Sequence, residues 1–196
     1  MEAAILPRFG DAGAFTIADI PIPRPSAGQL LVKIRAAGLN PVDYKTRTGK
    51  GQAAQFTLPA ILGWDIAGQI ADAGQGAHKF KPGDRIFGMS NFPKPANAYA
   101  QFAVVQEDEF ALVPDNISDE MAGATPLAAL TALEALTDHA KLKAGMRVLI
   151  HAAAGGVGHI AVQLARITGA YVIGTASARN HAWVTALGAS EVIDYR

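Results

Sequence analysis

The stretch of this chain best suited to chemistry is one with almost no side chains, His151-Ala152-Ala153-Ala154-Gly155-Gly156-Val157-Gly158. Small residues let a backbone come close to a bulky anion, and the N-terminus of a following helix offers it N–H groups and a partial positive charge. Against the G-x-G-x-x-G pattern of dinucleotide binding, Ala153 stands in the first glycine place. Glycine turns are common, so the flanks decide. An apolar run, Arg147 to Ala152, precedes this one. A helical pattern follows, with Val157, Ile160, Ala161, Leu164 and Ala165 on one face, and then a second apolar run, Tyr171 to Thr175. That context predicts that Ala153, Gly155, Gly156, Val157 and Gly158 hold the pyrophosphate of a dinucleotide. A tight turn made for packing alone is the other reading.

The end of the second apolar run bears on which dinucleotide binds. An NAD site places Asp or Glu about 20 residues past the glycines, on the ribose 2′-hydroxyl. Here Thr175-Ala176-Ser177-Ala178-Arg179-Asn180-His181 offers no acid. Ser177 and Arg179 suit a 2′-phosphate, because arginine pairs strongly with phosphate, and NADPH is the expected cofactor. Alternatively Ser177 caps a helix and Arg179 is solvated, roles that do not exclude binding.

Other chemistries lack their residues. The chain has no cysteine, hence no disulfide and no thiolate to act as nucleophile or metal ligand. His78, His139, His151, His159 and His181 show no ligand spacing, and no metal is expected. With 17 basic and 17 acidic residues the net charge is zero, and no basic block appears. Nucleic acid and anionic membranes are therefore not expected partners, and a small molecule is. Val148 to Ala165 carries no Asp, Glu, Lys or Arg, but Gly155, Gly156 and Gly158 break it as a membrane span. The N-terminus lacks a signal-peptide pattern, and a cytoplasmic location is expected.

The elements that must position these residues fall into two stretches. The first 115 residues read as short strands, such as Leu30 to Ile34 and Phe102 to Val105, with a turn at Lys81-Pro82-Gly83-Asp84 before Arg85 to Gly88. A small β barrel or sandwich is expected. After Pro114 the character changes. Ser118 opens a helical pattern, and Ala122 to Leu142 is rich in Ala and Leu, interrupted only by Pro126 and ended at Gly145. Strand, glycine turn, helix, strand, a helix over Asn180 to Leu187 and a third strand from Glu191 to Tyr195 make the first half of a doubly wound parallel sheet. Half a sheet leaves an open edge, so a longer protein is expected.

Six segments, in order, carry a family likeness. They are Gly38 to Lys45, Leu62 to Gly68, Lys81 to Gly88, Pro126 to Ala132, the glycine turn, and Leu187-Gly188-Ala189 before Val192 to Tyr195. The chain resembles zinc-free quinone oxidoreductases of the zeta-crystallin type, within the medium-chain dehydrogenase/reductase superfamily. The resemblance implies a mixed fold: an N-terminal GroES-like β-barrel domain over 1–117, completed by a later return segment, then the first half of a Rossmann doubly wound α/β domain over 118–196. Zinc relatives use a Cys in the segment matching Asn40 to Asp43, a His-Glu pair matching Trp64-Asp65, and a later Cys; none of these cysteines is here, and Trp64 replaces the His.

The implied activity is hydride transfer from NADPH to a quinone or α,β-unsaturated carbonyl. The alternatives are a non-catalytic NADPH-binding sensor or structural protein, or an enoyl-reductase domain of a larger synthase. The resemblance puts Asn40, Asp43 and Tyr44 at the nicotinamide pocket and Thr131 against the cofactor. Tyr44 then hydrogen-bonds a developing oxyanion, or is a partly buried core tyrosine. Asn40 binds cofactor or merely forms a turn. Asp43 is a helix N-terminal acid or orients neighbours. Tyr195 packs on the adenosine half or within its strand, and His151 ends a buried strand in a structural role. A homodimer is implied for the full-length protein.

Overall fold

The computed structural model describes all 196 residues, and the chain divides into two compact units, Met1–Leu127 and Ala128–Arg196. The first unit carries eight strands: β1 (Glu2–Leu6), β2 (Thr16–Asp19), β3 (Gln29–Ala37), β4 (Ala60–Ile61), β5 (Asp65–Ala73), β6 (Arg85–Met89), β7 (Phe102–Gln106) and β8 (Phe110–Leu112). They form an antiparallel sheet in the order β7-β3-β5-β6-β8 and a smaller one in the order β2-β1-β4. One bridge, Ala3 to Ala100, links the two sheets, so the expected barrel is two joined sheets rather than a ring closed strand by strand. Its core alternates along the strands as a half-buried sheet requires: Leu30 and Val32 on β3, Ile66 and Ile70 on β5, Ile86 on β6 and Val105 on β7.

Helix α1 (Pro41–Arg47) follows β3 directly, with Asn40 in extended backbone before it and Pro41 in its first turn, where a missing N–H costs nothing. Helix α2 (Asp119–Gly123) starts at Ser118, whose hydroxyl accepts from Met121 N–H at 3.2 Å. It packs on β3 and β5 so closely that a Cβ on Gly38 would meet the Gly123 carbonyl and Asp65. That packing keeps residues 118–127 with the first unit, whereas the change in composition put the division after 117.

The second unit is a parallel sheet in the order β11-β10-β9, made of β9 (Arg147–Ile150), β10 (Tyr171–Thr175) and β11 (Glu191–Ile193). Helix α3 (Pro126–Glu134) leads into this unit; α4 (Gly158–Ile167) and α5 (His181–Leu187) connect the strands. Ile150, Ala153, Val162, Ala165, Val172 and Val184 form the core.

Three expectations shift. Pro126 begins α3 instead of interrupting a longer helix, and after Glu134 the backbone widens into a π-helical turn, Ala135–His139, short of Leu142. Gly145 lies in a left-handed turn (φ 81°) before β9, beyond the helix it was expected to cap. The buried face of α4 is Gly158, Ala161, Val162 and Ala165, turned one residue from the expected stripe, and Val157 is 37% exposed. The smallest residues face the sheet because helix and strand approach closely there, and hydrophobicity alone does not report that. Strand β11 ends at Ile193, and no helix is long and apolar enough to cross a membrane.

Candidate cofactor and acceptor sites

In the second unit the chain leaves β9 and turns through residues 151–157 before α4 begins. Thr175, buried at the end of β10, organises this turn. Its Oγ1 accepts from Ala152 N–H at 3.1 Å and its carbonyl from Ala153 N–H at 2.9 Å. Ala152 takes a left-handed φ of 49°, and its carbonyl accepts from Gly155 N–H at 2.7 Å. The small residues then do different jobs. Ala153 is fully buried against Gly174, whose added Cβ would come within 2.9 Å of it. Gly158 lies so near the Ala152 carbonyl that no Cβ fits, which sets the close helix–strand approach. Gly156 faces open space: a Cβ there meets nothing within 4 Å, and the Gly156 and Val157 amides donate no backbone hydrogen bond. Free amides at the start of a ten-residue helix, beside backbone with room in front of it, fit a pyrophosphate.

After β10, Ser177 is 5% exposed and precedes a 3-10 turn, Ala178–Asn180. Its hydroxyl caps no backbone N–H, contrary to the capping expectation; its one neighbour is Asn180 Nδ2 at 3.4 Å. Arg179 is exposed and forms no ion pair. A buried hydroxyl and an unpaired guanidinium on one loop suit a phosphate. Tyr195 is 63% exposed beyond the end of β11, and Thr131 is exposed on α3. His151 is exposed rather than buried, with Nδ1 3.4 Å from Thr175 Oγ1. Its position at the mouth of the turn, past the last paired residue Ile150, accounts for this.

In the first unit Phe15, Leu39, Asn40, Asp43, Tyr44, Arg47 and Tyr99 line a cavity of about 240 Å³. Helix α1 supplies Asp43, Tyr44 and Arg47 on adjoining turns, so the structure gathers Asn40, Asp43 and Tyr44 as expected from the resemblance. Tyr44 is 53% exposed at the cavity wall, not a core tyrosine. The Asn40 N–H donates to Asp43 Oδ2 at 2.6 Å, and Asn40 Nδ2 donates to Asp65 Oδ2 at 2.9 Å. Asp65, wholly buried on β5, also accepts from Leu127 N–H at 3.0 Å in the first turn of α3. One asparagine thus ties two buried carboxylates together.

Burial dominates the electrostatics here, because removing a carboxylate from water disfavours its charged form. Asp65 is pushed up to about 6 by burial, opposed by the Asn40 and Leu127 donors and reinforced by the charge of Asp43. Burial also raises Asp43, opposed by the Asn40 N–H and the Tyr99 hydroxyl beside it. Burial and the two carboxylates push Tyr99 well above its usual range, so its proton stays on; the hydroxyl lies 3.5 Å from the Gly38 carbonyl. Arg47 Nε is buried with no hydrogen-bond partner, and Asp43 Oδ1 is buried with the Tyr99 hydroxyl beside its carboxyl.

Trp64, where zinc relatives carry a histidine, is completely buried. Its Nε1 donates to the Lys94 carbonyl at 2.7 Å, and Phe56 and Phe92 meet its ring edge-on. No three His, Cys, Asp or Glu side chains gather as a metal site. Sequence reasoning gave no role to Arg47, Tyr99 or Thr175. Asp65 alone left a signal, as an acid inside the apolar run Leu62 to Ala67.

Residues 26–115 match the model of the alcohol dehydrogenase GroES-like domain. The chain is 39% identical over 193 residues to a chloroplastic quinone-oxidoreductase homolog of Spinacia oleracea, covering 95% of this chain and 58% of that one. It is 36% identical over 203 residues to an NADPH-dependent alkenal/one oxidoreductase of Arabidopsis thaliana, also chloroplastic, covering 100% of this chain and 52% of the relative. Among solved structures it is similar to the quinone oxidoreductase of Coxiella burnetii, with 41% identity and a TM-score of 0.92 over 100% of this chain and 62% of the other. The chain therefore spans little more than half the length of these curated relatives. With the two-unit architecture and the glycine turn beside these likenesses, the chain carries an alcohol dehydrogenase GroES-like domain over residues 26–115 and is similar along almost its whole length to quinone oxidoreductases.

Proposed function

We propose that this chain forms part of an NADPH-dependent reductase that transfers hydride to a quinone or an α,β-unsaturated carbonyl without zinc. The observation that carries the reading is the open space before Gly156 at the head of α4, bordered by unpaired amides. NADPH, when bound, supplies the hydride. Gly156 and Val157 would hold its pyrophosphate with their unpaired amides, on a turn whose shape Ala153, Gly155 and Gly158 set; Ser177 and Arg179 would hold its 2′-phosphate, and Thr131 and Tyr195 would flank it. The similarity to an NADPH-dependent alkenal/one oxidoreductase and to quinone oxidoreductases supports both the cofactor and the acceptor class.

Quinones and enones take hydride at a carbon that is already electrophilic, so the protein's task is to position the acceptor and hydrogen-bond it. The Tyr44 hydroxyl, half exposed at the cavity wall, donates to the oxygen on which negative charge develops. Asn40 and Asp43 hold α1 so that Tyr44 faces the cavity. A cytoplasmic homodimer acting on small molecules, not nucleic acid or membrane, completes the proposal.

The test is NADPH oxidation by the intact purified protein, followed by absorbance with small quinones and enones and an NADH control. Acceptor-dependent turnover that prefers NADPH is the expected result. Tight NADPH binding with no turnover on any acceptor would overturn the enzymatic reading in favour of a sensor or structural role.

A further inference from the structure

His159 is the second residue of α4, and a single acceptor takes both its backbone and its ring N–H. The backbone N–H donates to the Gly155 carbonyl at 3.0 Å, the bond a helix makes in any case. Ring Nδ1 lies 2.9 Å from the same oxygen. A carbonyl can only accept, so Nδ1 carries a proton and donates it. The indole of Trp183, on α5, lies against the ring with centroids 5.8 Å apart and planes 25° from parallel, which restrains its rotation. The helix itself has no need of this second donor.

The extra bond acts on the peptide that joins Gly155 to Gly156. That peptide is trans, so its C=O and N–H point in opposite directions. Drawing the Gly155 oxygen toward His159 therefore turns the Gly156 N–H the other way. This amide donates no backbone hydrogen bond, and a Cβ on Gly156 would meet nothing within 4 Å. Two successive glycines otherwise leave such a peptide free to rotate. Resting on the dinucleotide reading of this turn, we propose that His159 is a positioning residue for the cofactor, its Nδ1–H locking the Gly155–Gly156 peptide with the Gly156 amide aimed at the pyrophosphate. The pyrophosphate is common to NADPH and NADH, so His159 acts on both alike. Without the ring donor the peptide turns more freely, and ordering it again on binding weakens both cofactors.

The experiment measures dissociation constants of NADPH, NADH and adenosine 2′-phosphate calorimetrically on the intact protein. His159→Leu keeps apolar bulk against Trp183 but has no donor, and it should weaken both dinucleotides by roughly fivefold, the worth of one hydrogen bond. Adenosine 2′-phosphate has no pyrophosphate and should bind as before, which a general disturbance of the unit would not allow. His159→Asn carries an N–H on Cγ where histidine carries Nδ1–H, and should restore both dinucleotides to within about twofold. Unchanged dinucleotide affinity in His159→Leu, an equal loss for adenosine 2′-phosphate, or a His159→Asn variant no better than His159→Leu overturns the proposal. If the unaltered protein binds neither dinucleotide, the dinucleotide reading falls and this inference with it. If it binds both and His159→Leu binds them equally well, only the inference falls.

Discussion

The glycine turn of the second unit and the cavity of the first prepare for ligands by opposite means. The turn is built from backbone: Gly158 lets helix and strand close up, Gly156 leaves room, and the binding groups are amides that the fold leaves unpaired. The cavity is built on charge, with Asp43 and Arg47 in its wall and Asp65, buried behind it, tied to Asp43 by Asn40. A site of the first kind carries no titrating group and costs little to hold in the folded state. It fails when atoms are added. A site of the second kind places desolvated carboxylates in the core and fails when a partner or a proton changes.

The sharpest way to break the contrast is Gly158→Ala. The new Cβ meets the Ala152 carbonyl, a backbone atom that cannot swing aside, and the variant should lose about 3 kcal/mol of stability, read by denaturant unfolding. Two residues away, Gly156→Val should do the reverse. Its Cβ enters open space, so stability should change by no more than about 0.5 kcal/mol. NADPH affinity, by fluorescence titration, should fall by roughly 100-fold or more, because the added side chain fills the space of the phosphates. Equal affinity in the folded variant would remove the turn from the binding site.

The charged cavity should respond to pH where the turn does not. The folded-state pKa of Asp65, about 6, lies above its unfolded value of 3.8, so between these limits the native protein holds the extra proton. Its contribution is then complete below about pH 4 and is lost as pH rises toward 6, a fall of roughly 2–3 kcal/mol, and Asp43 is shifted in the same direction. Asp65→Asn should flatten most of that slope in melting curves taken across this range. The smallest expected effect is Arg179→Ala, which should weaken NADPH by about tenfold while leaving NADH unchanged, since one exposed charge-assisted contact is lost. Equal loss for both cofactors would return Arg179 to a solvated role.

The glycine turn was legible because its demand is local. Whatever else the chain does, a strand followed at once by Ala153 to Gly158 and a small-faced helix can only turn tightly with bare backbone. Even so, the buried face of α4 is one residue off the hydrophobic stripe, since close approach selects Gly158, Ala161 and Ala165 for size. The cavity was much less legible. Asn40, Asp43 and Tyr44 came from resemblance, while Arg47 and Tyr99 carried no pattern of their own.

By itself, then, the amino-acid sequence determined a β-rich first stretch, the strand–turn–helix of the second, the absence of thiolate chemistry and the lack of an acid after β10. Each of these depends on residue type and short-range spacing, which the chain displays directly. Only the tertiary structure decided that Asn40 bridges Asp43 and Asp65, residues 25 apart in the case of the second. It likewise decided that Leu127 donates to the Asp65 carboxylate from 62 residues away, and that Asp43 and Arg47 line one cavity without pairing with each other. Those facts depend on which faces of distant strands and helices are brought together and closed off from water, and burial, not spacing, sets the energy of a charge.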